Sequence, residues 1–122
     1  MKPLDSNIVA VKSKSFAIRC VRLRAFLCEE KREYDLSRQL LRSGTSIGAN
    51  VKEAIRGQSK PDFGAKMNIA LKEASECEYW LELLQETDFL TKGQGDSLLS
   101  DCRELIRLLT SIVKSTFNPP IA

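Results

Sequence analysis

Glu73 and Glu76 stand one helical turn apart, a spacing that sets two carboxylates on the same face of a helix. Such a pair can move protons or hold a metal when histidines join it. The chain has no histidine among its 122 residues, so the commonest general base and metal ligand is missing. Di-iron bundles use inward-facing Glu-x-x-His pairs, and Glu73-x-x-Glu76 lacks the histidine. The cysteines at 20, 28, 77 and 102 include no Cys-x-x-Cys pair. Each falls on the apolar face of an expected helix, which reads as small core side chains in a reducing compartment rather than a tetra-cysteine metal site. No glycine loop is placed to cradle phosphate, since Gly44 and Gly48 fall in the middle of a helical pattern. An enzyme built on Glu73 and Glu76 is the weakest of three function classes, and no catalytic residue, metal or cofactor is expected.

Charge offers more. The net value of +3 hides a basic first half and an acidic third quarter. Residues 8–33 and 36–60 each carry a balance of +4, while residues 61–88 carry −5. Arg38, Arg42, Lys52 and Arg56 all fall within about 40° of the direction of Arg38 around a helix. That stripe reads either as a solvated face or as a surface for anions. With Lys12, Arg19 and Arg22 it forms a candidate nucleic-acid surface, acting on backbone phosphates with a steep salt dependence. One Trp and two Tyr give little area for base stacking. The acidic third segment offers another use for these cations: Arg42 is a candidate partner of Glu73 or Glu76, within the chain or across an interface.

These residues need four helices to hold them. Apolar periodicity predicts helices over about 8–32, 36–57, 61–86 and 96–116 in a single domain spanning 1–122. The first, capped by Ser6 or Asn7, has two apolar faces. Phe16, Cys20, Leu23 and Leu27 form one; Ile18, Val21, Ala25 and Cys28 form a nearly opposite one, as if the helix were sandwiched between its bundle and a neighbouring subunit. The second ends at Gly57, suited to a left-handed cap. Ser59-Lys60-Pro61-Asp62 starts the third, whose core stripe is Phe63, Met67, Ala70, Ala74, Cys77, Leu81 and Leu84. Gly93 and Gly95 read as a loop before the fourth, where Leu98, Cys102, Leu105, Leu109 and Ile112 repeat in heptads until Asn118-Pro119-Pro120. Short links between long helices give an all-α, antiparallel up-down-up-down four-helix bundle. No transmembrane run and no signal-peptide stretch is present, so a cytoplasmic protein is expected.

The segment Gln39–Ala54 is unusual within this plan. It is helical in period, yet Ser43, Gly44, Thr45, Ser46, Gly48 and Asn50 are residues that weaken an isolated helix. A helix carrying them in one block must be held by a close neighbour. Asn50 and Glu53, at the border of the apolar face, each need a partner.

Leu40-Leu41-Arg42-Ser43-Gly44-Thr45-Ser46-Ile47-Gly48-Ala49-Asn50-Val51-Lys52-Glu53-Ala54 is very similar to the signature of proteins encoded in intervening sequences of bacterial 23S rRNA genes. Ser59-Lys60-Pro61-Asp62-Phe63, Ala70-Leu71-Lys72-Glu73-Ala74 and Tyr79-Trp80-Leu81-Glu82-Leu83-Leu84 continue the match, which covers about residues 8–115. The resemblance implies a bundle assembled into a ring-shaped homo-oligomer, a pentamer. It also implies kinship with the accessory protein of diversity-generating retroelements, which binds reverse transcriptase and nucleic acid. Arg42, Ser43, Ser46, Asn50 and Glu53 match the family's polar motif; with Gly44, Gly48, Glu73, Glu76 and Trp80 they form the expected motif and assembly set. The leading expectation is an oligomer that associates with RNA or DNA. The alternative is a protein–protein scaffold, with a nucleic-acid-processing protein as one possible client and no membrane partner.

Overall fold

A computed structural model describes residues 4–117, with side chains from Asn7 onward. Its four helices are α1 (Leu4–Lys31), α2 (Asp35–Ile55), α3 (Lys60–Glu86) and α4 (Lys92–Phe117), and no strand occurs among the described residues. Consecutive helices pack on one another, and α4 returns to α1. The backbones of α1 and α3, and of α2 and α4, come no closer than 8 Å between Cα atoms, so these pairs lie diagonally and meet only through side chains such as Cys20 and Cys77. Three close neighbours mark the seam between α1 and α2. Cys28 meets Ser37 of α2, Cys20 lies against Gly44, and Ser13 against Gly48.

The core follows the expected stripes. All seven stripe residues of α3 and all five heptad residues of α4 are buried. On α2, Leu40, Ser43, Gly44, Ile47, Val51 and Ala54 are buried, with Leu36 and Ile55 packed partly against them. On α1, Val9 and Ser13 join Phe16, Cys20, Leu23 and Leu27 inside. The second apolar face of α1 stays largely exposed, Val11 at 69%, Ile18 at 44% and Val21 at 53%.

The helix ends correct several expectations. α1 begins at Leu4, so positions 6 and 7 lie within the helix rather than ahead of it. It ends on Arg32, whose φ of 52° is left-handed, with the Glu33 N–H donating to Leu27 O six residues back at 3.0 Å. The carboxylate of Glu33 then caps α2, accepting from the N–H groups of Asp35, Leu36 and Ser37 at 3.2, 3.0 and 2.7 Å. Gly57 has no positive φ. It follows the Arg56 cap, its N–H donates to Ala54 O at 3.0 Å, and a Cβ there would collide with the Asp62 carboxylate. Space, not handedness, calls for glycine.

Ser59 caps α3 as expected, its hydroxyl accepting from the Asp62 N–H at 3.2 Å. α4 starts four residues before Asp96, because Thr91 and Gln94 form a capping box. The Gln94 N–H donates to Thr91 Oγ1 at 3.1 Å, and Gln94 Oε1 accepts from the Thr91 N–H at 2.9 Å. Gly93 and Gly95 are therefore helical, and Gly95 is buried under the Gln85 side chain. The Asn118-Pro119-Pro120 stop lies outside the described residues.

Candidate nucleic-acid interface

The block of helix-weakening residues in α2 is resolved by two arrangements. Its polar side chains turn back on their own helix. Ser43 Oγ donates to Gln39 O, Thr45 Oγ1 to Leu41 O, Ser46 Oγ to Arg42 O and Asn50 Nδ2 to Ser46 O, at 2.7–3.1 Å. Each bond reaches four residues back, which satisfies the group without a second helix. The two glycines let α1 approach. A Cβ on Gly44 would overlap Cys20 Sγ, and one on Gly48 would lie 3.4 Å from the Ser13 carbonyl. The close neighbour that α2 requires is thus α1 of the same chain.

Arg42 lies on the α3 side of this helix. Its guanidinium donates to Glu73 at 3.1 Å and to Glu76, whose carboxylate also accepts from Trp80 Nε1 at 3.2 Å. Burial acts the other way, yet the two carboxylates hold the Arg42 pKa above its ordinary value. Tyr79 meets the Trp80 ring edge-on at 5.2 Å. About three turns further along α2, Glu53 pairs with Lys66 at 3.4 Å. The expected carboxylate pair is therefore a clamp on an arginine. Among the described residues no group of three or more candidate ligands could hold a metal.

The seven cations expected to form one surface divide into two sets. Lys12 pairs with Glu104 at 3.2 Å and Arg19 with Asp101 at 2.6 Å, both across to α4, while Arg42 is held by α3. Arg38 has only Asp35, 3.8 Å away on its own helix. Arg22, Lys52 and Arg56 are exposed and have no ion pair among the described residues. Lys14 joins Lys52 and Arg56 around one groove between α1 and α2. Sequence reasoning passed over it, because neither helix alone gives the register that brings position 14 beside 52.

The cysteines take the core role expected. All four are free, with Cys20, Cys77 and Cys102 buried and Cys28 partly so. For Cys77 the Cys102 thiol acts downward, but the hydrogen bond with Cys20 and burial outweigh it and hold the group well above its usual range. Cys102 is raised by its hydrogen bond with Cys77 and by burial.

An all-helical fold among the described residues, with an arginine clamp and small-residue packing of α2 on α1, defines a class of four-helix bundle proteins. The family model described as 23S rRNA-intervening sequence protein matches residues 5–111, and the chain belongs to that family. It is also similar to a crystal structure from Bacteroides thetaiotaomicron VPI-5482, of a protein with unknown function from the S23 ribosomal protein family. Identity is 52% over 91% of this chain and 99% of that one, with a TM-score of 0.89. Comparison with curated proteins gives no match. No described helix is long and apolar enough to cross a membrane.

Proposed function

We propose that this chain is a non-enzymatic, cytoplasmic bundle protein whose helices run antiparallel, up-down-up-down, in a single domain. It assembles with copies of itself into a ring, a pentamer, and associates with RNA or DNA through backbone phosphates along α1 and α2. The observation that carries the nucleic-acid reading is the set of exposed cations without ion pairs among the described residues, Lys14, Arg22, Lys52 and Arg56, beside Lys12, Arg19 and Arg42, which are neutralised in the chain. The assembly reading draws on apolar exposure. Val11, Ile18 and Val21 protrude from α1, and Ile69 and Tyr79 from α3, the helix diagonal to it. Two different apolar patches on separate helices suit a head-to-tail contact, which closes into a ring when its rotation allows. Four free thiols suit a reducing compartment.

Light scattering on the purified chain, followed by titration with structured RNA at about 50 and about 200 mM salt, tests both parts. An oligomer whose affinity falls steeply with salt is expected. Affinity that stays level across that range rules out phosphate contact as the basis of binding.

A second reading is favoured by the Arg42 clamp. Because the motif's own arginine is held by Glu73 and Glu76, the α2–α3 surface suits a protein scaffold whose client is another protein, a nucleic-acid-processing one included. That reading predicts an oligomer indifferent to RNA.

A further inference from the structure

The seams of this bundle differ in charge. α1–α4 carries Lys12–Glu104 and Arg19–Asp101; α2–α3 carries Arg42 with Glu73 and Glu76, and Glu53–Lys66. α3–α4 carries Arg103 with Glu78 and Glu82. Among the described residues no ion pair joins α1 to α2, although residues 8–33 and 36–60 each carry a balance of +4.

A groove of about 560 Å³ opens along that seam. Its lining includes Ala10, Gly48 and Ala49, and the cations Lys14, Lys52 and Arg56, with no carboxylate. Further along the seam comes Arg24, one turn from both Cys20 and Cys28, which face α2. Its Nε is shut off from solvent without a hydrogen-bond partner. Arg38 lies beyond it. From Arg56 to Arg38 the helix rises about 27 Å, at 1.5 Å per residue. The cations therefore form a track rather than a point, which matches a linear polyanion better than a single phosphate.

We infer that the α1–α2 seam is the seat of a single-stranded phosphodiester backbone, held by Lys14, Lys52 and Arg56 in the groove and by Arg24 and Arg38 along the seam. This rests on the nucleic-acid reading above and gives it a location and a strand state. Packed helices lie about 8–10 Å apart. The furrow above two axes so closely spaced seats one backbone, whereas a duplex, with a major groove alone about 12 Å wide, rides above its floor.

Fluorescence anisotropy of a labelled oligouridylate on the full chain, across a salt series, tests the inference. The variants are Lys14→Gln/Lys52→Gln/Arg56→Gln and, as a control of similar charge loss, Lys12→Gln/Arg19→Gln; light scattering and circular dichroism check that both keep their fold and size. The groove variant is expected to lose at least about tenfold in affinity, with the salt slope shallower by about 2, at roughly 0.7 per phosphate contact. The control is expected to lose far less. Equal affinity and slope in the groove variant overturn the seat while leaving the broader reading intact, as does an equal loss in the control. Tighter binding of a matched hairpin duplex overturns the single-strand assignment. Failure of the unmodified chain to bind either probe overturns the broader reading and this one with it. Should the triple variant change size, the exposed single change Lys14→Gln carries the same test through a slope change of about 0.7.

Discussion

Gly44→Ala and Gly48→Ala should shift stability in opposite directions, although both replace a mid-helix glycine four residues apart. Helix propensity alone favours alanine by about 1 kcal/mol at each site. At Gly48 the new methyl would meet Ser13 O at 3.4 Å and Ser13 Oγ at 3.5 Å, ordinary contact distances, so the gain survives. At Gly44 it would overlap Cys20 Sγ and lie 3.0 Å from Cys20 Cβ, with Cys77 Sγ at 3.6 Å behind. Cys20 and Cys77 are fully buried and have no room to retreat. Overpacking of this kind costs about 1–3 kcal/mol. The net loss at Gly44 is then about 1 kcal/mol, near 4 °C in Tm for a chain this long. Removing the obstructing sulfur with Cys20→Ala should turn the Gly44→Ala loss into a gain, a coupling of about 1–2 kcal/mol in a double-mutant cycle. Thermal melts followed by circular dichroism at one fixed protein concentration provide the assay, since an oligomer's Tm depends on concentration. A Gly44→Ala protein that melts at or above the wild type, or additive effects with Cys20→Ala, would refute the packing argument.

Three other outcomes are expected. Thr91→Ala removes one half of the capping box and should lower stability by about 1 kcal/mol, read as a shift in urea midpoint; no shift would mean that α4 starts without it. Arg42→Gln should cost less than about 1 kcal/mol, because the guanidinium is half exposed and the pair is screened, and the loss should shrink in high salt. The fold holds Cys77 and Cys102 neutral while an unfolded chain ionises them, so their stabilisation is complete below about pH 9, their ordinary value, and declines above it. Urea midpoints at pH 8 and pH 10 should therefore fall more for the wild type than for Cys77→Ala/Cys102→Ala, and equal falls would contradict the assignment.

Much of the fold could be read from periodicity, because a stripe of apolar residues is a property of one helix. The α3 stripe from Phe63 to Leu84 and the α4 heptad from Leu98 to Ile112 are buried as written in the sequence. Breaker residues misled at the α4 start. Gly93 and Gly95 suggest a loop, but the box made by Thr91 and Gln94 nucleates the helix ahead of them, and Gly95 makes room for Gln85. Gly57 suggested handedness where the structure needs only space beside Asp62. The candidate site was legible in part. Arg42 meets Glu73 and Glu76 as their charges suggested, and Glu53 finds Lys66. Asn50 instead bonds to the Ser46 carbonyl, a partner that an angular plot of one helix hides. Division of the cations into neutralised and free sets depends on which helix faces which, and hence on the register of α1 against α2 and α4.

The order of the helices around the bundle also bears on how the chain reaches this shape. Every pairing except α1 with α4 joins helices that follow one another, through links of only a few residues. Such local pairings close short loops and cost little chain entropy, which favours rapid folding. The α1–α4 seam closes last in that order, across sequence separations of 82 and 92 residues at Arg19–Asp101 and Lys12–Glu104. Its bridging side chains are roughly 40% exposed, so they hold the seam weakly. Native-state hydrogen exchange should therefore show partial opening beginning at α1 and α4, with α2 and α3 as the slow-exchanging centre, and uniform protection across the four helices would contradict this order.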